Sequence, residues 1–191
     1  MSRLRAVLAT GNPGKAAELS RLLGRDVEAR AIEVDENADT YAGNALRKAR
    51  AALAAADGGR IGLGDDSGLE VAALGGEPGL RSARWAGPTD ADRNTALLAR
   101  LDGATDRSAA FVCALAAVLP DGREIVVEER VAGAIADAPR GGGGFGYDPL
   151  FVPLGDSRTV AQLTPDEKDV VSHRGRASRA LAAALGEAGA G

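Results

Sequence analysis

Short apolar runs and helical stripes alternate along this chain. Leu4 to Ala9 reads as a short buried strand. Thr10-Gly11-Asn12-Pro13-Gly14-Lys15 then turns into a helix reaching about Leu23. Asn12 is a good N-cap, Pro13 suits the first helical position, Leu19, Leu22 and Leu23 form the apolar stripe, and Gly24 ends it. Val27 to Val34 reads as a second strand. The acidic segment Asp35-Glu36-Asn37-Ala38-Asp39 leads to Thr40, the N-cap of a long Ala-rich helix ending near Asp57-Gly58-Gly59. Ile61 to Leu63 is a short strand that delivers Gly64-Asp65-Asp66-Ser67-Gly68.

After a glycine-rich loop, Gly75 to Gly87, a helix is predicted from about Thr89 to Leu101. Phe111 to Leu119 and Glu124 to Val131 flank Pro120-Asp121-Gly122, a strong hairpin signal. Gly141 to Gly146 forms a second glycine-rich loop that includes Phe145 and runs into Tyr147-Asp148-Pro149. The C-terminus reads as two helical pieces separated by Ser172-His173-Arg174-Gly175, with Thr164-Pro165 repeating the cap-then-proline pattern and a frayed tail after Leu185. The β–α alternation predicts an α/β fold. With no internal repeat and no long linker, residues 1–191 read as a single domain.

Composition narrows the classes. Hydrophobic residues at 45% and charged residues at 26% fit a soluble globular protein of 191 residues. Aromatics are only 3%, so Ala, Leu and Val must build the core and each aromatic carries information. Cys113, alone in an apolar run, reads as a buried, inert thiol. The longest apolar run, Ala109 to Leu119, is too short to span a bilayer, and the N-terminus lacks a secretory segment. A cytoplasmic protein with no membrane partner is expected. The net charge of −4 argues against a general nucleic-acid binder but leaves a small anionic ligand open.

Four segments bear candidate chemistry. Asp65 and Asp66, side by side at a strand end, would repel unless a cation or proton lay between them. The segment therefore reads as a metal or acid–base site, or as the solvated turn that its Asp, Ser and Gly favour. Thr10 to Lys15 offers backbone N–H groups at a helix start plus a mobile ammonium, which suits phosphate, although a purely structural cap reads equally well and a Walker A loop is excluded. Lys168, His173, Arg174 and Arg176 gather positive charge and donors, or form a solvated basic helix face. His173, the only histidine, reads as a donor rather than a general base. In the Gly141 to Asp148 loop, Phe145 and Tyr147 offer flat surfaces on which a base could stack.

Six motifs occur in order: Leu8 to Lys15, Asp65-Asp66-Ser67-Gly68-Leu69, Leu74-Gly75-Gly76-Glu77-Pro78-Gly79, Ser82-Ala83-Arg84, Gly144-Phe145-Gly146-Tyr147-Asp148-Pro149 and Ser172-His173-Arg174-Gly175. Together they resemble the inosine/xanthosine triphosphate pyrophosphatase family over nearly the whole chain. The resemblance implies an elongated two-lobed α/β fold around a long mixed β-sheet flanked by helices, with the active site in the cleft between the lobes, and a homodimer. It also implies hydrolysis of ITP, dITP and XTP to the monophosphate and pyrophosphate with Mg²⁺.

By motif, Thr10, Gly11, Asn12, Pro13, Gly14 and Lys15 would hold the triphosphate, and Asp66 would be the catalytic carboxylate and a metal ligand. Ser67 would contact substrate. Phe145, Gly146, Tyr147 and Asp148 would face base and sugar, while Lys168, His173 and Arg174 would complete base and phosphate recognition. Taken as exposed, Asp66 is a weak base at neutral pH and relies on water already polarised by metal and phosphate. One departure stands out: Gly43 replaces the Glu usual in the family at the long helix, at a helical cost of about 1 kcal/mol. Glu36 is then the expected second metal ligand, with Asp35 the alternative. The rival readings are a nucleotide-binding regulator with weakened catalysis and a general phosphatase.

Overall fold

Helices begin where the capping residues stand. Asn12 caps α1 (Pro13–Leu23), its side-chain oxygen accepting from the backbone N–H groups of Gly14 and Lys15, and Gly24 closes the helix in the left-handed conformation. Thr40 caps α2 (Tyr41–Ala54). Thr89 caps α3 (Asp90–Arg100) with Asp92 completing a capping box, and Thr164 with Glu167 does the same for α4 (Pro165–Val171). The computed structural model describes residues 5–188, so Leu4 and the last three residues lie outside it.

The last helix, α5 (His173–Ala188), corrects the expectation of a four-residue break. Only Ser172 separates it from α4, and His173, Arg174 and Gly175 form its first turn. The helix also continues past Leu185 to Ala188. Ala177, Leu181 and Leu185 are buried in one core with Leu8, Leu19 and Leu115, which anchors that length of chain.

Six strands, β1 (Ala6–Ala9), β2 (Val27–Arg30), β3 (Ile61–Val71), β4 (Ser108–Val118), β5 (Glu124–Ile135) and β6 (Phe151–Pro153), form one sheet in the order β2-β1-β3-β4-β5-β6. β1 runs parallel to β2 and β3, and β5 antiparallel to β6, so the sheet is mixed. β4 and β5 are joined across residues 119–123, where the hairpin was expected.

Strand lengths differ from the sequence reading: β4 starts at Ser108 rather than Phe111, and β5 runs to Ile135 rather than Val131. β2 stops at Arg30 rather than Val34. β3 runs for 11 residues instead of three, and so absorbs the whole Gly64 to Gly68 segment. The turn reading of that segment fails because it lies inside a continuous β3, whose neighbours are β1, paired at Ile61 to Leu63, and β4, and strand context overrides the local preference of Asp, Ser and Gly. The short β6 was not anticipated.

The chain divides into two compact units. The first comprises Met1–Asp66, Cys113–Glu129 and Arg174–Gly191, and the second Ser67–Val112 and Arg130–His173. In the first, Leu8, Ile61, Leu63, Leu19, Leu115 and Leu181 pack together. In the second, Leu69, Leu97, Leu101, Ile135, Leu150 and the aromatics Phe111, Tyr147 and Phe151 do so, with the Phe111 and Phe151 ring centroids 4.5 Å apart. Among the described residues no helix is long and apolar enough to cross a membrane.

Within the first unit, α2 lies directly on β3. A Cβ at Gly64 would sit 1.9 Å from the Ala45 carbonyl oxygen, and one at Gly62 would sit 2.3 Å from that of Ala49. Glycine at alternate strand positions, opposed by alanine at i and i+4 of the helix, lets the two backbones touch. That approach brings the polar positions of the same helical stripe, Asn44 and Lys48, to the end of the first unit's stretch of β3.

Candidate active site

Strand pleating sends Asp65 and Asp66 to opposite faces of β3. Asp65 shares its face with Ile61 and Leu63, and Asp66 shares the other with Gly62 and Gly64. The expectation of two repelling carboxylates sharing one cation therefore gives way to two separate ion-pair networks, each buried within the first unit.

Asp65, 3% exposed, is held by cations from two helices. Lys15 Nζ donates to its carboxylate at 2.5 Å and Arg174 Nε at 2.8 Å, while Arg174 Nη1 donates to Glu18 at 3.2 Å. The Cys113 thiol, buried as expected, donates to the same carboxylate at 3.8 Å. Burial pushes the Asp65 carboxyl up, but Arg174 and then Lys15 outweigh it and hold it well below the usual carboxylate range. The Arg174 guanidinium is opposed by burial too, yet Asp65 and Glu18 keep it firmly protonated. The solvated-face reading of the basic cluster fails at His173 and Arg174, both of which are buried.

Asp66, 7% exposed, faces α2. Asn44 Nδ2 donates to one carboxylate oxygen at 3.1 Å and Lys48 Nζ to the other at 3.0 Å. The same ammonium donates to the Asp65 carbonyl oxygen at 3.1 Å and meets Glu36 Oε1 at 3.1 Å. Burial raises the Asp66 carboxyl above its ordinary value, against the pull of Lys48 and Asn44, with Glu36 adding repulsion. Asp66 is thus a stronger base than the exposed aspartate the sequence suggested.

The side chain missing at Gly43 explains how Glu36 arrives there. A Cβ at that position would lie 2.8 Å from Ala38 Cβ, and the Ala38 N–H donates to Asn44 Oδ1 at 3.0 Å. The acidic segment is drawn onto the start of α2, carrying Glu36 to Lys48, while the Asp35 carboxylate accepts from Asn37 at 2.5 Å.

Thr10 to Lys15 is exposed apart from the half-buried Thr10 and Lys15. Its helix-start amides are less free than expected, because Asn12 Oδ1 accepts from Gly14 N–H at 2.9 Å and from Lys15 N–H at 3.4 Å. Thr10 Oγ1 accepts from Asn12 N–H at 3.1 Å. What this loop offers an anion is the Lys15 ammonium and the exposed turn around Gly11.

The second unit holds the other group. Asp148 Oδ2 accepts from Phe145 N–H at 3.0 Å and from Lys168 Nζ at 2.8 Å, and that ammonium stands 4.9 Å from the Phe145 ring centroid. The glycine-rich loop closes over the Asp148 carboxylate: Gly144 has φ +72°, and a Cβ there would lie 2.1 Å from Asp148 Oδ2. Asp90 and Asn94 of α3 fix the loop by accepting from Gly146 N–H at 2.6 Å and donating to Gly146 O at 3.0 Å. Phe145 is half-buried, but Tyr147 is not the flat surface expected. Its ring is buried, and its hydroxyl, pushed up to about 12 by burial, donates to Ser82 O at 3.0 Å. Ser67 is half-buried, and His173 stacks on Phe111 with ring centroids 4.5 Å apart.

Sequence reasoning missed Glu18, Asn44, Lys48, Asp90 and Asn94. A signal existed for two of them. Tyr41, Asn44, Ala45, Lys48, Ala49 and Ala52 form one buried stripe, and polar residues inside such a stripe need partners.

Among the described residues no three His, Cys, Asp or Glu side chains gather as a metal cluster. Asp66 and Glu36 nonetheless aim carboxylate oxygens at one point, where they meet the Lys48 ammonium. Two hard oxygen donors suit a divalent ion of the kind that takes its remaining ligands from substrate phosphate and water.

The family model of the Ham1 family matches residues 6–184. A dITP/XTP pyrophosphatase of Symbiobacterium thermophilum is 50% identical, covering 97% of this chain and 95% of that protein. One from Mycobacterium tuberculosis is also 50% identical, covering 94% of each. Among solved structures, a HAM1 protein from Coxiella burnetii matches with a TM-score of 0.84 at 38% identity, covering 97% of this chain and 100% of that one. With the family model spanning nearly the whole sequence, the chain belongs to the Ham1 family.

Proposed function

We infer that this chain is a nucleoside triphosphate pyrophosphatase that hydrolyses ITP, dITP and XTP to the monophosphate and pyrophosphate, keeping deaminated purines out of DNA and RNA. The observation that carries the reading is the buried Asp66 carboxylate. It is pinned by Asn44 and Lys48 and faces Glu36, in a chain half identical to dITP/XTP pyrophosphatases.

Asp66 accepts the proton of the attacking water. Burial moves its carboxyl toward the working pH, which strengthens it as a base without unpinning it. Asp66 and Glu36 would hold Mg²⁺, which when bound neutralises triphosphate charge and polarises water. Attack at the α-phosphorus expels pyrophosphate. Lys15 and the Thr10 to Gly14 turn, at the start of α1, bind that leaving group. Arg174, saturated by Asp65 and Glu18, acts by fixing Asp65 and through it Lys15.

Phe145, Gly146, Asp148, Lys168, His173 and Ser67 serve base and sugar recognition, with Tyr147 holding the loop from the core. Hypoxanthine and xanthine carry a carbonyl where adenine has an amino group. N–H donors at that edge, from loop amides, Lys168 or His173, are satisfied by the former and left unpaired by adenine, a mismatch worth orders of magnitude. The protein works as a cytoplasmic homodimer.

Purified protein with Mg²⁺ and a panel of ITP, dITP, XTP, GTP and ATP tests the reading. ITP, dITP and XTP should yield pyrophosphate at least a hundredfold faster than GTP or ATP. Equal rates across the panel, or orthophosphate as the product, would overturn it.

A further inference from the structure

Lys48 carries a feature that the proposed chemistry does not use. Its side chain is nearly buried, and its ammonium has three acceptors, one for each proton: the Asp65 carbonyl oxygen, Asp66 Oδ1 and Glu36 Oε1, at 3.0 to 3.1 Å. Two of those acceptors are the carboxylates assigned above to the metal. The ammonium is therefore already at the point toward which both carboxylates are directed. Opposite charges make it a competitor of any other cation there, and burial leaves little water to screen the contest.

The placement is set by the fold. Gly62 and Gly64 let α2 settle onto β3, and Lys48 projects from α2 one turn beyond Asn44, which holds the second Asp66 oxygen.

We propose that Lys48 is a built-in counter-cation that holds Asp66 and Glu36 together before nucleotide arrives and makes metal uptake conditional on the triphosphate. A bare divalent ion must share two carboxylates with an ammonium that cannot leave its buried position without losing three partners. A nucleotide brings phosphate oxygens whose negative charge offsets both cations, so the ion enters as part of the metal–triphosphate pair. The chain thereby avoids holding an activated water in the absence of substrate. The inference rests on the assignment of Asp66 and Glu36 as the metal ligands.

The test titrates Mn²⁺ into nucleotide-free protein and follows the free ion by electron paramagnetic resonance. Parent, Lys48→Gln, Lys48→Met and the double variant Lys48→Gln/Asp66→Asn are compared, with circular dichroism to verify folding. Lys48→Gln keeps a donor for Asp66 and so guards against loss of fold in the methionine variant. Both single variants should bind Mn²⁺ at least tenfold more tightly than the parent, and the double variant should lose that gain. Suppose instead that folded Lys48 variants bind no tighter, while Mn²⁺ uptake with α,β-methylene-ITP still depends on Asp66. The role given to Lys48 is then wrong and the ligand assignment stands. Uptake with the analogue that is indifferent to both Asp66→Asn and Glu36→Gln overturns the ligand assignment and this inference with it.

Discussion

Asp65 and Asp66 are neighbours in sequence and strangers in space. The first is clamped by Lys15 and Arg174 on one face of β3, and the second by Asn44 and Lys48 on the other. The pleat of a strand separates a carboxylate that is fully neutralised from one that is pinned, partly opposed by Glu36 and left basic. Two adjacent residues of the same type thus belong to separate ion-pair networks.

Replacing Asp66 with Asn should remove the proton acceptor while preserving shape and the donor from Asn44. Turnover of ITP should fall by about 10²–10⁴-fold, with the thermal melt close to that of the parent. Steady-state pyrophosphate release alongside circular dichroism checks both halves. Retained turnover would place the base elsewhere.

Asp65→Asn should act on stability instead. Breaking a buried ion pair costs about 3–5 kcal/mol, here at the low end because Arg174 keeps Glu18. The Asp65 carboxyl is held below its ordinary value of 3.8 in the folded chain. Its stabilisation is therefore complete above that pH and is lost as pH falls below it toward the folded value. Urea melts should show a constant deficit for the variant from about pH 5 to 8 that shrinks only in strong acid. A deficit that grew on acidification would contradict the assignment.

Gly64→Ala probes the helix–strand contact. The added methyl would meet the Ala45 carbonyl oxygen at 1.9 Å, backbone that cannot rotate away. α2 must shift, at a cost of about 1–3 kcal/mol, and with it Asn44 and Lys48. Activity should fall well beyond what the fraction unfolded explains, measured as kcat per folded molecule. A variant that melts lower yet keeps its kcat would separate the packing from the site.

Lys168→Met removes the ammonium that joins Asp148 to the Phe145 ring. KM for ITP should rise by about tenfold or more, as expected for loss of one charged hydrogen bond, with kcat changed less. A fall in kcat at unchanged KM would move Lys168 from recognition to chemistry.

Much of this molecule was legible because its punctuation is local. Asn12, Thr40, Thr89 and Thr164 start helices where their side chains reach backbone N–H groups, and Gly24 ends one where only a left-handed turn fits. Asp66, Lys15 and Glu36 were legible as motif positions or as a lone acidic segment. The partners were not, because Lys48 reaches Asp66 only through the contact of Gly62 and Gly64 with α2, and Glu18 reaches Arg174 across 156 positions of chain. The Gly64 to Gly68 segment misled for the same reason: its residues favour a turn, and only its place in the sheet, inside β3, makes it a strand. Tyr147 misled through composition, since scarcity of aromatics marks core positions as readily as ligand contacts.

Hydrolysis of ITP with Mg²⁺ in ¹⁸O-labelled water, read by mass spectrometry of both products, tests the central claim most directly. One ¹⁸O per IMP with unlabelled pyrophosphate, absent in Asp66→Asn, is the predicted result. IDP with labelled orthophosphate, or label in the pyrophosphate, would contradict attack at the α-phosphorus and the roles assigned around it.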